Sequence, residues 1–214
     1  MYEKYIKRSL DILLSGLALC VLSPLLLALT LAVRISMGSP VLFRQTRTGR
    51  FGRPFELYKF RSMTSQTDSE GHLLPDAQRL TRLGRFLRSS SLDELPELFN
   101  ILKGDMSIIG PRPLLPEYLP YYTSEELHRH DVRMGLIPPE VLYKDVMPTW
   151  ENQFAYEVAY ARHVTFRTDI RILWATVRGL FLRGRSDYGE YVRQPLTQER
   201  ARRVQQPEEV VVNE

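Results

Sequence analysis

One cysteine, Cys20, stands in a chain of 214 residues. A lone thiol inside an apolar run forms no intrachain disulfide, and nothing in the sequence reads as a metal cluster. Excess charge is also scarce. Lys and Arg number 29 against 25 Asp and Glu, a net +4. That excess does not by itself define a nucleic-acid binder; where the cations cluster matters more, because anionic lipids and phosphorylated substrates attract them too. Internal repeats are absent. No small-residue cleavage site follows the apolar segment, which argues against a secretory signal peptide. Leu17-Ala18-Leu19-Cys20 has a faint look of a lipoprotein site, but the bulky Leu19 and the apolar stretch after Cys20 argue against lipidation. A hydrophobic content of 43% allows a real core, and the length suits one compact domain with an anchor and a tail.

Ile12 to Val33 carries no charged residue, and thirteen of its residues are Leu, Ile or Val. That matches the roughly 20 apolar residues needed to cross a bilayer core. At about −0.5 kcal/mol each they favour insertion by roughly 6 kcal/mol. Pro24, near the middle, costs about 3 kcal/mol and kinks a helix without keeping it out of lipid. The Ser23 hydroxyl beside it is placed to satisfy a freed carbonyl. Lys4, Lys7 and Arg8 precede the segment; Arg34, Arg44, Arg47, Arg50 and Arg53 follow it. With basic residues at both ends the positive-inside rule gives a crossing helix no preferred direction. A helix that enters, bends at Ser23-Pro24 and returns on the same side removes the conflict; a kinked spanning helix is the alternative.

Val41–Phe43 and Phe55–Phe60 read as strands around an Arg- and Gly-rich turn, followed by a polar loop from Thr64 to Pro75. Arg79–Arg88 reads as a basic amphipathic helix suited to a membrane surface, to phosphate or simply to water. Leu95–Leu102 predicts a short helix closed by Lys103-Gly104. Glu151–Arg183 predicts a long helical stretch broken near Thr165, whose Ile170, Leu173, Trp174, Val177, Leu180 and Phe181 suit either the lipid interface or ordinary core packing. Past Gln194 the composition is that of a loose tail.

The sharpest local feature is Ser91-Leu92-Asp93-Glu94-Leu95-Pro96. Serine with Glu three residues on is a capping-box pattern with Ser91 as N-cap, although Pro96 also permits a helix that starts near Leu95. Either reading puts Asp93 and Glu94 at a helix N-terminus, where the macrodipole favours ionised carboxylates. Capping alone is the bland explanation. Against it stand the surrounding cations, Lys59, Arg61, Arg85, Arg88 and Arg112, a set able to hold a diphosphate. Carboxylates among phosphate-binding cations recruit Mg²⁺, with Asp93 as the protein ligand, and an ionised Asp can attack phosphorus.

The chain resembles the monotopic phosphoglycosyl transferases, the bacterial sugar transferase family, and in particular their small single-domain branch. The resemblance runs over roughly residues 1–185. It rests on Lys7-Arg8-Ser9-Leu10-Asp11-Ile12, Ser23-Pro24, Tyr58-Lys59-Phe60-Arg61-Ser62-Met63, Leu73-Leu74-Pro75-Asp76, Ser91 to Pro96, Phe99 to Ser107 and Gly110-Pro111-Arg112-Pro113. It implies an α+β, mostly helical fold with a re-entrant membrane helix (1–37), a small β-hairpin and amphipathic interfacial helices. A catalytic domain (38–190) would lie on the cytoplasmic face of a bacterial inner membrane, and 191–214 would be a flexible polar tail. It implies that Asp93 is the nucleophile, taking a sugar-1-phosphate from a UDP-sugar and passing it to polyprenyl (undecaprenyl) phosphate, the first membrane step of glycoconjugate assembly. Glu94 would be its partner, Arg88 and Arg112 phosphate ligands, and Asp169 an acidic residue near the site. Membrane lipids are the other implied partner; a homodimer is left open.

The resemblance fails in one stretch. Where the family carries Pro-Gly-Ile/Leu-Thr-Gly, Ala-Gln-Val and Gly-Arg-Asn, this chain has Met134 to Asp145, with Asp145 replacing an Arg. That leaves an altered donor preference or a non-catalytic membrane scaffold as alternatives. A tethered nucleic-acid binder lacks interleaved aromatics and any known module, and is set aside.

Overall fold

The computed structural model describes residues 2–143, 149–182 and 193–205. It is mostly helical, 62%, with a small two-stranded hairpin and a long apolar N-terminal helix, the α+β class expected. The chain divides into two compact units: Met1–Arg47 with Pro54–Ile108, and Thr48–Arg53 with Ile109–Glu214.

In that unit helix α1 runs Lys7–Met37, with Pro24 inside it. Proline at 24 deprives the Cys20 carbonyl of its helical donor, and the Ser23 hydroxyl donates to that oxygen at 2.8 Å. The helix is long and apolar enough to cross a membrane, and only 11% of its most apolar window is buried. What is buried includes the polar residues Asp11 and Ser15. Asp11 Oδ1 accepts from the Ile108 amide at 3.0 Å, and Arg8 donates to the Ile101 and Leu102 carbonyls at 2.7 and 3.0 Å. At its other end Leu29 and Val33 join Phe60 and Leu87 in a core cluster.

Strands β1 (Leu42–Thr48) and β2 (Pro54–Phe60) pair as the expected hairpin. Helices α2 (Asp76–Arg79) and α3 (Arg82–Ser89) follow, the latter capped by Thr81, whose hydroxyl accepts from the Gly84 amide. Gly84 is where α3 meets the end of β2: a Cβ there would overlap the Ser62 carbonyl. Helix α4 spans Glu97–Lys103 and ends on Gly104, whose φ of +101° suits a residue without Cβ. Buried Asn100 ties α4 to β2 by taking the place of a neighbouring strand. Its Oδ1 accepts from the Tyr58 amide at 3.1 Å and its Nδ2 donates to the Glu56 carbonyl at 2.6 Å. Asn100→Ala is expected to cost roughly 2–4 kcal/mol by orphaning both backbone groups, measured as a lowered denaturation midpoint. Strand β3, Met106–Ile109, follows α4.

The second unit is built on Leu114, Tyr118, Tyr122, Trp150, Phe154 and Leu196. It holds α5 (Ser124–Leu127), strand β4 (Met134–Ile137), α6 (Trp150–Arg162), α7 (Phe166–Leu182) and α8 (Leu196–Gln205). The break between α6 and α7 falls where Thr165 led us to expect it. Helix α8 corrects the loose-tail expectation for 196–205. Leu196 is fully buried, and Arg200 forks onto both Glu126 carboxylate oxygens at 2.6 and 2.7 Å. On α7, Trp174, Ile170, Val177 and Phe166 lie exposed rather than in the core. The expectations at Leu180, Phe181 and Arg183 lie outside the described side chains.

His130 is buried with its Nδ1 3.0 Å from the Gly49 carbonyl and its Nε2 3.3 Å from an Arg129 nitrogen. Those partners fit a neutral ring donating from Nδ1 and accepting at Nε2. Burial, with the Arg129 charge, pushes its pKa from 6.5 down to about 4. The unfolded chain therefore binds the extra proton first, and stability is lost as pH falls from about 6.5 towards 4. The loss amounts to on the order of 3 kcal/mol. Urea midpoints at pH 7 and 4.5 should show it, and His130→Gln should flatten the difference.

Candidate active site

Within the first unit four of the sequence-selected residues come together. Asp93 and Glu94 sit in a 3-10 turn, Leu92–Glu94, just ahead of α4. The expected Ser91 cap does not form. Ser91 adopts φ +56°, makes no side-chain capping bond, and instead turns the chain so that α4 begins after Pro96. A serine in the left-handed region costs roughly 1–3 kcal/mol, strain of the kind that gathers at functional sites.

Lys59, at the end of β2, reaches Glu94 Oε1 at 2.6 Å and Glu97 Oε1 at 3.2 Å. Asp93 is 9% exposed. Burial raises its carboxyl pKa, with the Glu94 charge adding, while Lys59, its own backbone amide and Arg88 pull it back. The helix-end argument predicted the opposite direction; desolvation outweighs the nearby positive charges. Arg88 holds its place through Nε donating to Ser62 Oγ at 3.0 Å.

Two sequence-selected cations take other places. Arg61 donates to the carbonyls of Met63, Met37 and Ser39 and to Ser65 Oγ, so it staples the end of α1 to the chain after β2. Arg85 is exposed on α3, and its side chain makes no hydrogen bond or ion pair among the described residues. Sequence reasoning passed over Glu97, which is 3% exposed and shares Lys59 with Glu94. The signal was there: 94 and 97 are three apart, on one helical face.

The second unit carries Arg112 and Asp169. The Arg112 side chain is exposed, while its backbone amide donates to Glu157 Oε1 at 2.8 Å and its carbonyl accepts from Arg129 at 2.6 Å. Asp169 is buried and accepts from the Tyr160 hydroxyl at 2.7 Å. In the altered stretch, burial and then the Glu157 charge raise the Glu140 pKa, against Arg112 and Arg129. Lys144 and Asp145 lie outside the described residues.

The donors around Asp93 are carboxylate oxygens, the hard ligands that Mg²⁺ takes. Among the described residues no group of three or more His, Cys, Asp or Glu is arranged as a metal cage. Mg²⁺ does not need one, since it keeps several waters and few protein ligands.

Buried Asp93 and its neighbour Glu94 thus stand beside the Lys59 ammonium, with the Arg88 charge close enough to act on Asp93. Residues 2–183 match the model of the bacterial sugar transferases, and the chain belongs to that family. It is 46% identical over 173 residues to the uncharacterized sugar transferase EpsL of Bacillus subtilis (strain 168), covering 81% of this chain and 86% of that one. It is 36% identical to the UDP-glucose:undecaprenyl-phosphate glucose-1-phosphate transferase of Klebsiella pneumoniae, over 80% of this chain and 39% of the relative. A third relative is the UDP-N-acetylgalactosamine-undecaprenyl-phosphate N-acetylgalactosaminephosphotransferase of Aeromonas hydrophila, 35% identical over 81% and 43%. The chain thus spans less than half the length of the two relatives whose substrates are named.

Proposed function

We propose that this protein transfers a sugar-1-phosphate from a UDP-sugar to undecaprenyl phosphate, with Asp93 as covalent nucleophile. The observation that carries the proposal is Asp93 itself: a buried carboxylate just after a left-handed Ser91, flanked by Lys59, Glu94 and Arg88. The relatives' substrates support the choice of donor and acceptor.

In the first step an Asp93 carboxylate oxygen attacks the sugar-linked phosphorus. A P–O bond forms, the bridging P–O bond breaks, and UMP leaves with its electron pair. In the second step an anionic oxygen of undecaprenyl phosphate attacks the same phosphorus and releases Asp93 as a carboxylate, so no net proton is required. Dividing the transfer lets two bulky substrates visit in turn. Desolvation raises the energy of the Asp93 anion before attack, and Lys59 keeps it available. Arg88 and Arg112 are read as ligands of the donor phosphates. Mg²⁺, with Asp93 and Glu94 as oxygen ligands, would supply charge neutralisation on the diphosphate.

We place the protein on the cytoplasmic face of the inner membrane, with α1 re-entrant. As a straight rod α1 would be about 46 Å long, more than the roughly 30 Å of a bilayer core. Yet Arg8 and Asp11 near its start and Leu29 and Val33 near its end are all held by the same unit. That supports both ends staying on one side. Single cysteines at positions 3 and 40 are expected to label from the same side of inverted vesicles, and labelling from opposite sides would mean a spanning helix. The exposed Trp174, Ile170 and Val177 beside Arg171 and Arg178 suit α7 to lipid headgroups.

The reaction is tested by incubating the purified protein with undecaprenyl phosphate, Mg²⁺ and a panel of UDP-sugars and measuring UMP release. One donor should support turnover. No release from any donor would favour a membrane scaffold that has lost donor binding through the altered 134–145 stretch.

A further inference from the structure

The Arg112 peptide is pinned at both ends by the two members of one buried ion pair. Pro111 and Pro113 have no N–H, so the Arg112 amide is the only backbone donor in Pro111-Arg112-Pro113. It donates to Glu157 Oε1, and the carbonyl of the same residue accepts from Arg129. Arg129 and Glu157 are joined at 2.6 Å with both side chains at 0% exposure. Gln153 donates to the same Glu157 oxygen at 3.0 Å, and Arg193 donates to Gln153 at 2.7 Å. That last contact comes from a segment beyond the 2–183 stretch matching the family.

A buried ion pair is poor value for stability, because desolvating two charges offsets most of their attraction and an apolar pair of similar volume often serves as well. Here each member of the pair also makes one bond to the same backbone unit, that of Arg112, whose side chain is exposed. We propose that Glu157, locked by Arg129 and Gln153, is a positioning residue for Arg112, fixing where its guanidinium meets the donor phosphates. The proposal rests on the reading of Arg112 as a phosphate ligand. Misplacing such a group by about 1 Å can cost on the order of 100-fold in rate.

The test is a double-mutant cycle on UMP release, run with UDP-glucose or UDP-N-acetylgalactosamine, whichever is turned over. It compares Arg112→Ala, the paired replacement Arg129→Met with Glu157→Leu, and all three together. The paired replacement leaves no lone buried charge, and a thermal melt establishes that it folds. It should raise the donor KM at least about 10-fold, leave the undecaprenyl phosphate KM unchanged, and add nothing in the Arg112→Ala background. Unchanged donor kinetics, or a loss that multiplies with that of Arg112→Ala, would overturn the proposal. If the paired variant does not fold, Gln153→Met keeps the ion pair and should show a smaller donor-specific loss that vanishes with Arg112→Ala; a loss that persists there counts against positioning. Full activity in Arg112→Ala alone would remove the underlying reading and the positioning role with it, while UMP release by the unaltered protein would still stand.

Discussion

Asp93→Asn is expected to abolish UMP release, by about 10³-fold or more, while leaving the fold and its melting temperature nearly unchanged. The amide is close in size to the carboxylate, so packing in the Leu92–Glu94 turn is kept. What is lost is the anionic oxygen. An amide is a far weaker nucleophile toward phosphorus, and removing the attacking group leaves only binding and electrostatic contributions to the rate. Because burial raises the Asp93 pKa, the asparagine variant should be as stable as the parent or slightly more so at neutral pH, where the parent carries a desolvated charge. Turnover within a few-fold of the parent would remove Asp93 from the chemistry. Loss of the melting transition would make the effect structural, and Asp93→Glu would then separate the two by restoring charge at shifted geometry.

Lys59→Met has the second large effect, and its signature is a pH shift. Lys59 acts on three carboxylates: it bonds Glu94 and Glu97, and its charge is the main influence lowering the Asp93 pKa. Removing it should raise that pKa further. In the proposed mechanism Asp93 attacks as the anion, so the acid limb of kcat/KM should move to higher pH, with roughly 100-fold lower activity at neutral pH and partial recovery in alkali. A uniform loss across pH would mean that Lys59 binds substrate without tuning the carboxylate.

The hairpin was legible because Gly49-Arg50-Phe51-Gly52 breaks the strand pattern, although β1 runs on to Thr48, past the expected end at Phe43, and α4 ended as expected because Gly104 takes a positive φ. The grouping of Asp93, Glu94, Lys59 and Arg88 in the candidate site was legible, since motif and charge pointed to the same stretch. Ser91 misled because Ser-x-x-Glu satisfies a capping box on paper, while Pro96 suits only a helix's first turn, so α4 begins after it and Ser91 stands in the left-handed region instead. Arg61 misled because a guanidinium serves backbone carbonyls as readily as phosphate, and composition does not distinguish them. The polar composition after Gln194 hid α8, whose docking depends on one leucine and on an arginine whose partners, Glu126 and Glu151, lie far off in sequence. Likewise the Arg129–Glu157 pair joins residues 28 apart, and no local periodicity announces it.

The central claim is a covalent bond between Asp93 and phosphorus. Incubating the protein with its UDP-sugar and Mg²⁺, in the absence of undecaprenyl phosphate, and digesting it at mildly acidic pH for mass spectrometry tests this directly. A phosphosugar mass is expected on the peptide containing Asp93, discharged on adding undecaprenyl phosphate. An adduct on any other residue, or none in a preparation that turns over, would contradict it.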